Sequence, residues 1–499
     1  MKKIIIYFTV LFLCSNLNLF AQVVSYSFRD STGIYNEING DTLAIATHTS
    51  QDPGNLNDVT YGPFALPYIF TFNCIDYTSY FVNTNGYITF GPTAPALANY
   101  GPISSSEVYE GAISAFGLNL IGVFGTTANT STSSPVLTNV TNFKGVVVGA
   151  HITAATAIPA DTYILAFNTT AGTITMSKAA AIPTTNLVIQ IASGSIISKT
   201  EGISPNRVHT IQFKNFRQYI IIGTDDNFNF QIKLFESTMT RSGEIHIVYG
   251  NMDKNTIPVP IATGQVGLRG LDNTDWNNRT NSATLNWATS TPGLSNAATS
   301  VLSSIVFPVS GLTYIWNPQN TTVNITVIPQ GFYNLSTLKL NKRDTVTAYL
   351  RNTSSPFSIV DSTKAVIDSI TFTGSFYFKY CSSGTYYIEI KHRNSIETWS
   401  SSGVVINGGG VTNYNFTTAA SKAYGNNMIL KGTKYCIYSG DVNQDGIIDA
   451  TDLSEVDNDA ANSLSGYVRT DVTGDDFVDA EDVSIIDNNA YNSVSVIRP

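Results

Sequence analysis

The acidic end of this 499-residue chain leaves the least freedom for folding. Residues 441–490 carry fourteen Asp and Glu against a single basic residue, Arg469, while the remainder carries 22 acidic and 26 basic residues. Laid over residues 471–493, residues 441–463 match at twelve of 23 positions with a constant offset of 30. A fixed period of that kind marks a duplicated structural unit and argues against a merely solvated tail. Within the first copy, Asp441, Asn443, Asp445, Asp449 and Asp452 crowd oxygen donors into one short stretch. Like charges so close repel, and they share a loop only if a counter-charge joins them.

The spacing names that counter-charge. Asp441, Asn443, Asp445, Asp449 and Asp452 take positions 1, 3, 5, 9 and 12 of a loop, with Gly446 at position 6 and the carbonyl of Ile447 at position 7. This is the donor pattern of an EF-hand loop for Ca²⁺, a hard ion wanting six to eight oxygens. In the second copy Asp471, Thr473, Asp475, the Phe477 carbonyl, Asp479 and Asp482 take the same places, and Asp476 stands where the glycine was. Two calcium ions are therefore expected, the second held more weakly. After each loop, Leu453, Val456 and Ala460 recur as Val483, Ile486 and Ala490, the three-and-four spacing of a helix with one narrow apolar face. Two such helices make a core so small that the unit is expected to need its metal to fold.

Loop–helix, linker, loop–helix, without the helix that precedes a full EF-hand loop, resembles the dockerin arrangement. "DVNQDGIIDATDL" and "DVTGDDFVDAEDV" resemble the type I-like dockerin repeat, and the resemblance covers residues 440–494. It implies a calcium-binding module that attaches a secreted protein to a cohesin module on a scaffold or cell surface, often in polysaccharide-degrading systems. The chain departs from the family at loop position 10, which is Ala450 and Ala480, and at position 11, which is Thr451 and Glu481. Its helices carry Asp457-Asn458 and Asp487-Asn488 where the family carries basic residues, so the familiar cohesin-reading surface is not reproduced. A calcium-stiffened cap or stalk without a cohesin partner is the alternative.

The rest of the chain reads as exported β-structure. Residues 1–21 place two lysines before a short apolar run and end on Ala21, the form of a secretory signal peptide, and no later stretch is long enough to span a membrane. Charged residues are only 13%, and polar uncharged residues alternate with aromatic and β-branched ones, the pattern of half-exposed strands. "TYGPFALPYIFTFNCIDYTSYFVNTNGYITF" predicts a strand pair turning at Asn85-Gly86. The phrases "FVNTNGYITF", "NRVHTIQFKNF", "NFQIKLFE", "IHIVYG" and "GLRGLDNTDWNNRT" resemble a module of secreted surface proteins of the Bacteroidetes type. That likeness implies a jelly-roll or lectin-like β-sandwich over 22–318, with a small β insertion at 133–192. Residues 319–434 supply five plausible strands and resemble an immunoglobulin-like or prealbumin-like sandwich, and 435–499 form the dockerin-like module. Cys74, Cys381 and Cys436 remain after the signal peptide; Cys381 and Cys436 could pair, or all could be buried thiols.

Function is less legible. No HExxH pair, GxSxG elbow or P-loop occurs, and no generally basic surface suits nucleic acid. Carboxylates outside the loops that could serve a glycosidase are Asp225, Asp226, Glu236, Glu244, Asp272 and Asp275; none lies in a recognisable motif, and no catalytic residue is assigned. The five histidines, at 48, 151, 209, 246 and 392, are isolated, and Trp399, His392 and Arg393 read as packing around a strand. Trp276 and Trp287, with Asn277, Asn278 and Asn286 nearby, either stack on sugar rings or belong to the sandwich core. The expected protein is a secreted, non-catalytic interaction protein, docked through its C-terminal module to a cohesin-like module or cell-surface scaffold, with a β-sandwich face for carbohydrate. The alternatives are a dockerin-bearing polysaccharide hydrolase with an unrecognised active site and a structural surface or adhesion protein.

Overall fold

The computed structural model describes residues 23–47, 53–154, 156–219, 226–237, 243–253, 262–282, 284, 286–318, 321–379, 381 and 383–499. The signal-peptide expectation for 1–21, together with His48 and Asp225, lies outside the described residues.

The molecule is mainly β and its sheets are overwhelmingly antiparallel. In the first part an eight-stranded sheet runs in the order Ser27–Thr32, Leu312–Asn317, Ile245–Tyr249, Phe228–Phe235, Val208–Gln218, Ser195–Glu201 and Asp41–Ile45, with Leu120–Ile121 pairing aside. A seven-stranded sheet joins Thr291–Pro292, Trp276–Thr280, Val266–Arg269, Glu110–Ser114, Tyr87–Phe90, Ile75–Asn83 and Thr60–Phe72. The strands alternate because one face is dry: Ile211, Phe213, Phe230, Ile232, Tyr249 and Trp316 from the first sheet share one core with Phe70, Phe90, Ile113 and Leu268 from the second. Ser27 pairs with Asn317 and Thr32 with Leu312, so the first and last strands of this part lie side by side. The Asn85-Gly86 turn joins Ile75–Asn83 to Tyr87–Phe90. Gly86 has φ +87°, and a Cβ there would press on Phe116, Leu120 and Phe230 at 3.3 Å, so both backbone and space call for glycine.

Between these strands a closed six-stranded barrel forms from Val123–Ser131, Ser134–Thr138, His151–Thr153, Thr162–Asn168, Thr173–Met176 and Thr184–Ala192. It has its own core of Leu137, Ile152, Ile164, Ile174, Met176, Ile189 and Ile191. The expected insertion began at 133; the barrel takes in ten more residues, because Val123–Ser131 pairs along its length with Thr184–Ala192. The two ends of the barrel meet where Gly122 and Gly194 touch: a Cβ on Gly194 would stand 2.4 Å from the Gly122 Cα.

The second β-body pairs a three-stranded sheet (Thr373–Phe378, Thr321–Thr326, Val411–Asn415) with a five-stranded one (Ile359–Ile367, Asp344–Asn352, Gly384–His392, Ser395–Trp399, and Val404–Ile406 aside). Val323, Ile325, Leu350, Phe376, Phe378, Ile388 and Ile390 fill the space between them. Trp399 is buried and donates its indole N–H to Glu397 at 2.6 Å. No disulfide joins Cys74, Cys381 and Cys436; burial raises the Cys381 thiol, and Asp361 and Cys74 push the same way.

At the C-terminal end two twelve-residue helices, α1 (Ala450–Ala461) and α2 (Ala480–Tyr491), each follow an acidic loop. Leu453, Val456, Ala460, Val483, Ile486 and Ala490 all enter one small core, with Val442, Ile448, Val472 and Val478 from the loops. Ile396 from the second β-body belongs to the same core, so the C-terminal unit does not bury its apolar face by itself. No helix among the described residues is long and apolar enough to cross a membrane.

Candidate metal centre in the C-terminal unit

The two loops are related by the 30-residue repeat down to single hydrogen bonds. Ile448 N–H donates to Val494 O and Val478 N–H to Leu464 O, both at 2.9 Å. Val496 N–H donates to Gly446 O and Gly466 N–H to Asp476 O, both at 2.8 Å. Each loop thus pairs with the segment that follows the other loop's helix, which makes an internal pseudo-two-fold. These ladder bonds flank Ile447, whose own N–H donates to Asp445 Oδ1 at 2.9 Å on the loop side. In an extended residue the carbonyl shares the side of the N–H, so Ile447 O belongs to the loop interior.

The carboxylates at positions 9 and 12 have a second duty. Asp449 caps α1 by accepting from Thr451 N–H at 2.7 Å, and Asp452 accepts from Asp449 N–H at 3.1 Å, a reciprocal capping box. Asp479 and Asp482 repeat it on α2. Asp452 Oδ1 also takes Val442 N–H at 2.8 Å and Asn443 N–H at 3.2 Å, and Asp482 Oδ1 takes Val472 and Thr473 N–H at 2.7 and 2.8 Å. Position 12 therefore keeps about one lone pair for anything else. The D-x-x-D spacing is thus a capping-box signal as well as part of the expected metal-donor pattern.

The first positions differ. Asp441 is 2% exposed; its Oδ2 accepts from Gly446 N–H at 3.3 Å, and its Oδ1 is buried with no hydrogen-bond partner among the described residues. Burial pushes the Asp441 carboxyl up to about 7, and the nearby charges of Asp452 and Asp445 push the same way. Asp471 is fully buried but well supplied: Oδ1 accepts from Gly474 N–H at 2.7 Å and Asp475 N–H at 3.2 Å, and Oδ2 from Asp476 N–H at 3.3 Å and the Arg393 guanidinium at 3.5 Å. Burial raises Asp471 too, with Arg393 opposing it. Asn443 Oδ1 accepts from Asp445 N–H, and Asn443 Nδ2 donates to Asp445 Oδ2, both at 2.9 Å. Thr473 Oγ1 lies 3.4 Å from Asp471 Oδ1, and Asp475 Oδ1 accepts from Phe477 N–H at 3.0 Å. Gly446 adopts φ +91°, and Asp476 adopts φ +72°, where its carboxylate meets Lys342. Among the described residues no three His, Cys, Asp or Glu side chains stand together as a ready metal cage. The first loop nevertheless fits a cation on a different observation, an uncompensated buried carboxylate oxygen, a state that costs free energy until a donor or cation meets it.

Sequence reasoning missed the floor under the second loop. Arg393 Nε donates to Asp344 Oδ2 at 2.8 Å while its other arm reaches Asp471, and its guanidinium lies 4.4 Å from the Tyr467 ring centroid. Asn394 Nδ2 donates to Asp471 O at 2.8 Å and Asn341 Nδ2 to Thr473 O at 3.0 Å. His392 is buried between Asp344 and Ser395. Nothing in the local pattern of "KHRNS" announces a partner 78 residues away.

Other sequence candidates disperse. Trp287 is 1% exposed, packs on Phe116, Tyr249 and Tyr314, and donates its indole N–H to Val301 O at 3.0 Å, so it is core and offers no sugar platform. Trp276 is half-buried; Asn277 and Asn278 spend their amide N–H groups on backbone carbonyls, and Asn286 caps a short 3₁₀ turn. Glu236 is clamped by Arg207 at 2.6 Å, Glu244 by His246 and Arg29, and Asp272 by Thr274. Asp226 is fully buried. Asp275 accepts from Val23 N–H at 3.1 Å, and burial raises its carboxyl to about 6. His209, raised as an isolated histidine, sits buried between Tyr80 and Thr200, and burial lowers its pKa to about 4.

The architecture defines a multi-part, mainly β-sandwich protein with an acidic loop–helix pair at its end. The family model described as "NIDO related" matches residues 25–137 and 156–318, more than half of the chain, and the chain belongs to that family. No curated protein matches it. Two solved type II cohesin–X-dockerin complexes from Acetivibrio cellulolyticus are similar in part. One is a C-terminal interface mutant with 18% identity and a TM-score of 0.22; the other is an N-terminal interface mutant with 19% identity and a TM-score of 0.21. Each match covers 34% of this chain and 94% of the other. Scores that low carry no weight for fold or partner.

Proposed function

We propose that the chain is an exported, non-catalytic interaction protein whose dockerin-like C-terminal unit is stabilised by calcium and docks it to a cohesin-like module or cell-surface scaffold. In this reading the first part is a jelly-roll or lectin-like sandwich that carries the ligand face, and the second β-body is an immunoglobulin-like or prealbumin-like spacer. The observation that carries the proposal is the duplicated loop–helix pair with the orphaned, buried Oδ1 of Asp441. Asp441, Asn443, Asp445, the Ile447 carbonyl, Asp449 and Asp452 would hold the first ion, which supplies the positive charge that lets these oxygens share one loop. Asp471, Thr473, Asp475, the Phe477 carbonyl, Asp479 and Asp482 would hold the second. That second site is the weaker, because Arg393 already compensates Asp471 and Asp476 replaces the turn glycine. Ala450, Thr451, Ala480 and Glu481 are exposed at the helix starts and would face the partner.

Calorimetric titration of the full chain with calcium tests the metal reading, with one tight and one weaker site expected. Absence of any binding at millimolar calcium would remove it. Capture by cohesin modules in calcium and not in chelator tests the docking; calcium binding without capture leaves a metal-stiffened cap.

A further inference from the structure

The outer face of the eight-stranded sheet carries a groove of about 390 Å³ that the calcium loops do not touch. Its floor is one rung of the sheet: Thr210 pairs with Lys233, Lys233 with His246, and His246 with Ile315. Val208, Phe235 and Val248 lie on neighbouring rungs, and Thr313, Ser31 and Asn206 add hydroxyl and amide groups at the edges. The Phe235 and His246 rings pack at 4.3 Å, which fixes the imidazole. Branched apolar carbons beside hydroxyls suit a ligand with one hydrophobic and one hydroxylated side, and the volume suits a sugar unit or two.

The charged groups around the groove differ in their pairing. Glu201 pairs with Lys199 at 2.7 Å; Glu244 pairs with His246 at 2.7 Å and with Arg29 at 3.3 Å. The Lys233 side chain, half-buried in the middle of the rung, makes no ion pair or hydrogen bond among the described residues; Glu201 lines the same groove, but its direct pair is Lys199. Burial lowers its pKa, and Glu201 only partly offsets that. A partly desolvated ammonium whose anionic neighbour Glu201 is already paired with Lys199 attracts a further anion, because the charge is poorly screened there.

We propose that this groove is a binding site for a small carboxylate-bearing sugar, with the carboxylate seated on Lys233 and the ring over the Val208, Val248 and Ile315 floor. The proposal rests on reading the sandwich as the ligand-bearing part and names the surface and the ligand chemistry; it does not depend on the calcium loops. The shared chemistry, a carboxylate beside hydroxyls, could come from a glycan uronic acid or from a simple organic acid, and the probes separate the two.

The test is titration of the full chain with glucuronate, glucose and acetate, run in chelator so that failure here is distinct from failure of the calcium reading. Glucuronate is expected to bind, glucose not to bind, and acetate to bind more weakly than glucuronate. In Lys233→Met the glucuronate affinity should fall at least about tenfold, as for loss of one charge-assisted hydrogen bond. Lys233→Arg should retain binding to within a few-fold, and an unchanged melting curve for both variants shows that the fold is kept. Acetate binding as tightly as glucuronate overturns the sugar assignment. No glucuronate binding by the wild type at about 10 mM, equal binding of glucose, or full affinity in Lys233→Met overturns the site.

Discussion

Single residues decide how the two loops differ. Asp441 holds a buried oxygen that nothing among the described residues satisfies, whereas the equivalent Asp471 is saturated by backbone N–H groups and Arg393. On the proposed calcium reading, Asp441→Ala should therefore weaken the tighter of the two proposed sites at least about tenfold, and Asp482→Ala should cost less calcium affinity but more helix stability, because it removes a capping-box carboxylate worth about 1 kcal/mol. Calcium calorimetry and thermal melts of the two variants separate these effects; equal affinity losses would refute the ranking. Arg393→Met removes the guanidinium that bridges buried Asp344 and Asp471, and should destabilise the joined C-terminal parts by about 3–5 kcal/mol in denaturant unfolding. Asp275 is one source of pH dependence, beside Asp441 and His209. Its folded pKa, about 6, stands above the ordinary value of 3.8, so the protonated form is the stabilising one. Its contribution is complete below about pH 3.8 and disappears as pH rises through 6, a change of about 3 kcal/mol. Melts at pH 4 and pH 7 should show that loss in the wild type relative to Asp275→Asn, which does not titrate.

Among elements, the six-stranded barrel shows how a large insertion is tolerated. Val123 pairs with Ala192, and Gly122 touches Gly194, so the inserted chain leaves and re-enters the sandwich at one point. Loop-closure cost grows slowly with length, and the barrel carries its own core. Replacing residues 125–190 with a short turn should leave a folded sandwich with a cooperative melt; a molten or aggregated product would show that the barrel core supports its host. The helices α1 and α2 depend on their surroundings in the opposite way. Their sequence pattern marked the buried faces correctly, yet those faces are too small to close a core without Ile396.

For the whole molecule, the C-terminal unit is fastened to the second β-body at many points. Gly440 N–H donates to Asn394 O at 2.7 Å, Asn489 Nδ2 to Gln330 Oε1 at 2.8 Å, and Asn427 Nδ2 to Ser495 O at 2.9 Å; Arg498 pairs with Glu397 at 2.7 Å. Val472 O stands 2.1 Å from where a Cβ on Gly331 would lie. The contact with the first part includes Lys379 and Asp76 at 3.5 Å. Chelation is consequently expected to lower the melting temperature of the second β-body together with α1 and α2, while the first sandwich and barrel keep theirs. Hydrogen exchange of the full chain with and without chelator reads this directly. Exchange that rises only in residues 440–494 would show the C-terminal unit to be thermodynamically separate.

What the sequence determined by itself were the features encoded over short range. The period of two set the strands, the spacing of three and four set the faces of α1 and α2, Asn85-Gly86 set its turn, and the offset of 30 set the internal pseudo-two-fold. Each depends on backbone geometry that neighbouring residues dictate. Only the tertiary structure decided that Trp287 is core, that Arg393 underlies Asp471, and that the Lys233 side chain has no ion pair of its own among the described residues. Burial and charge pairing depend on which distant segments meet, and nothing in the local pattern around those residues records the partner.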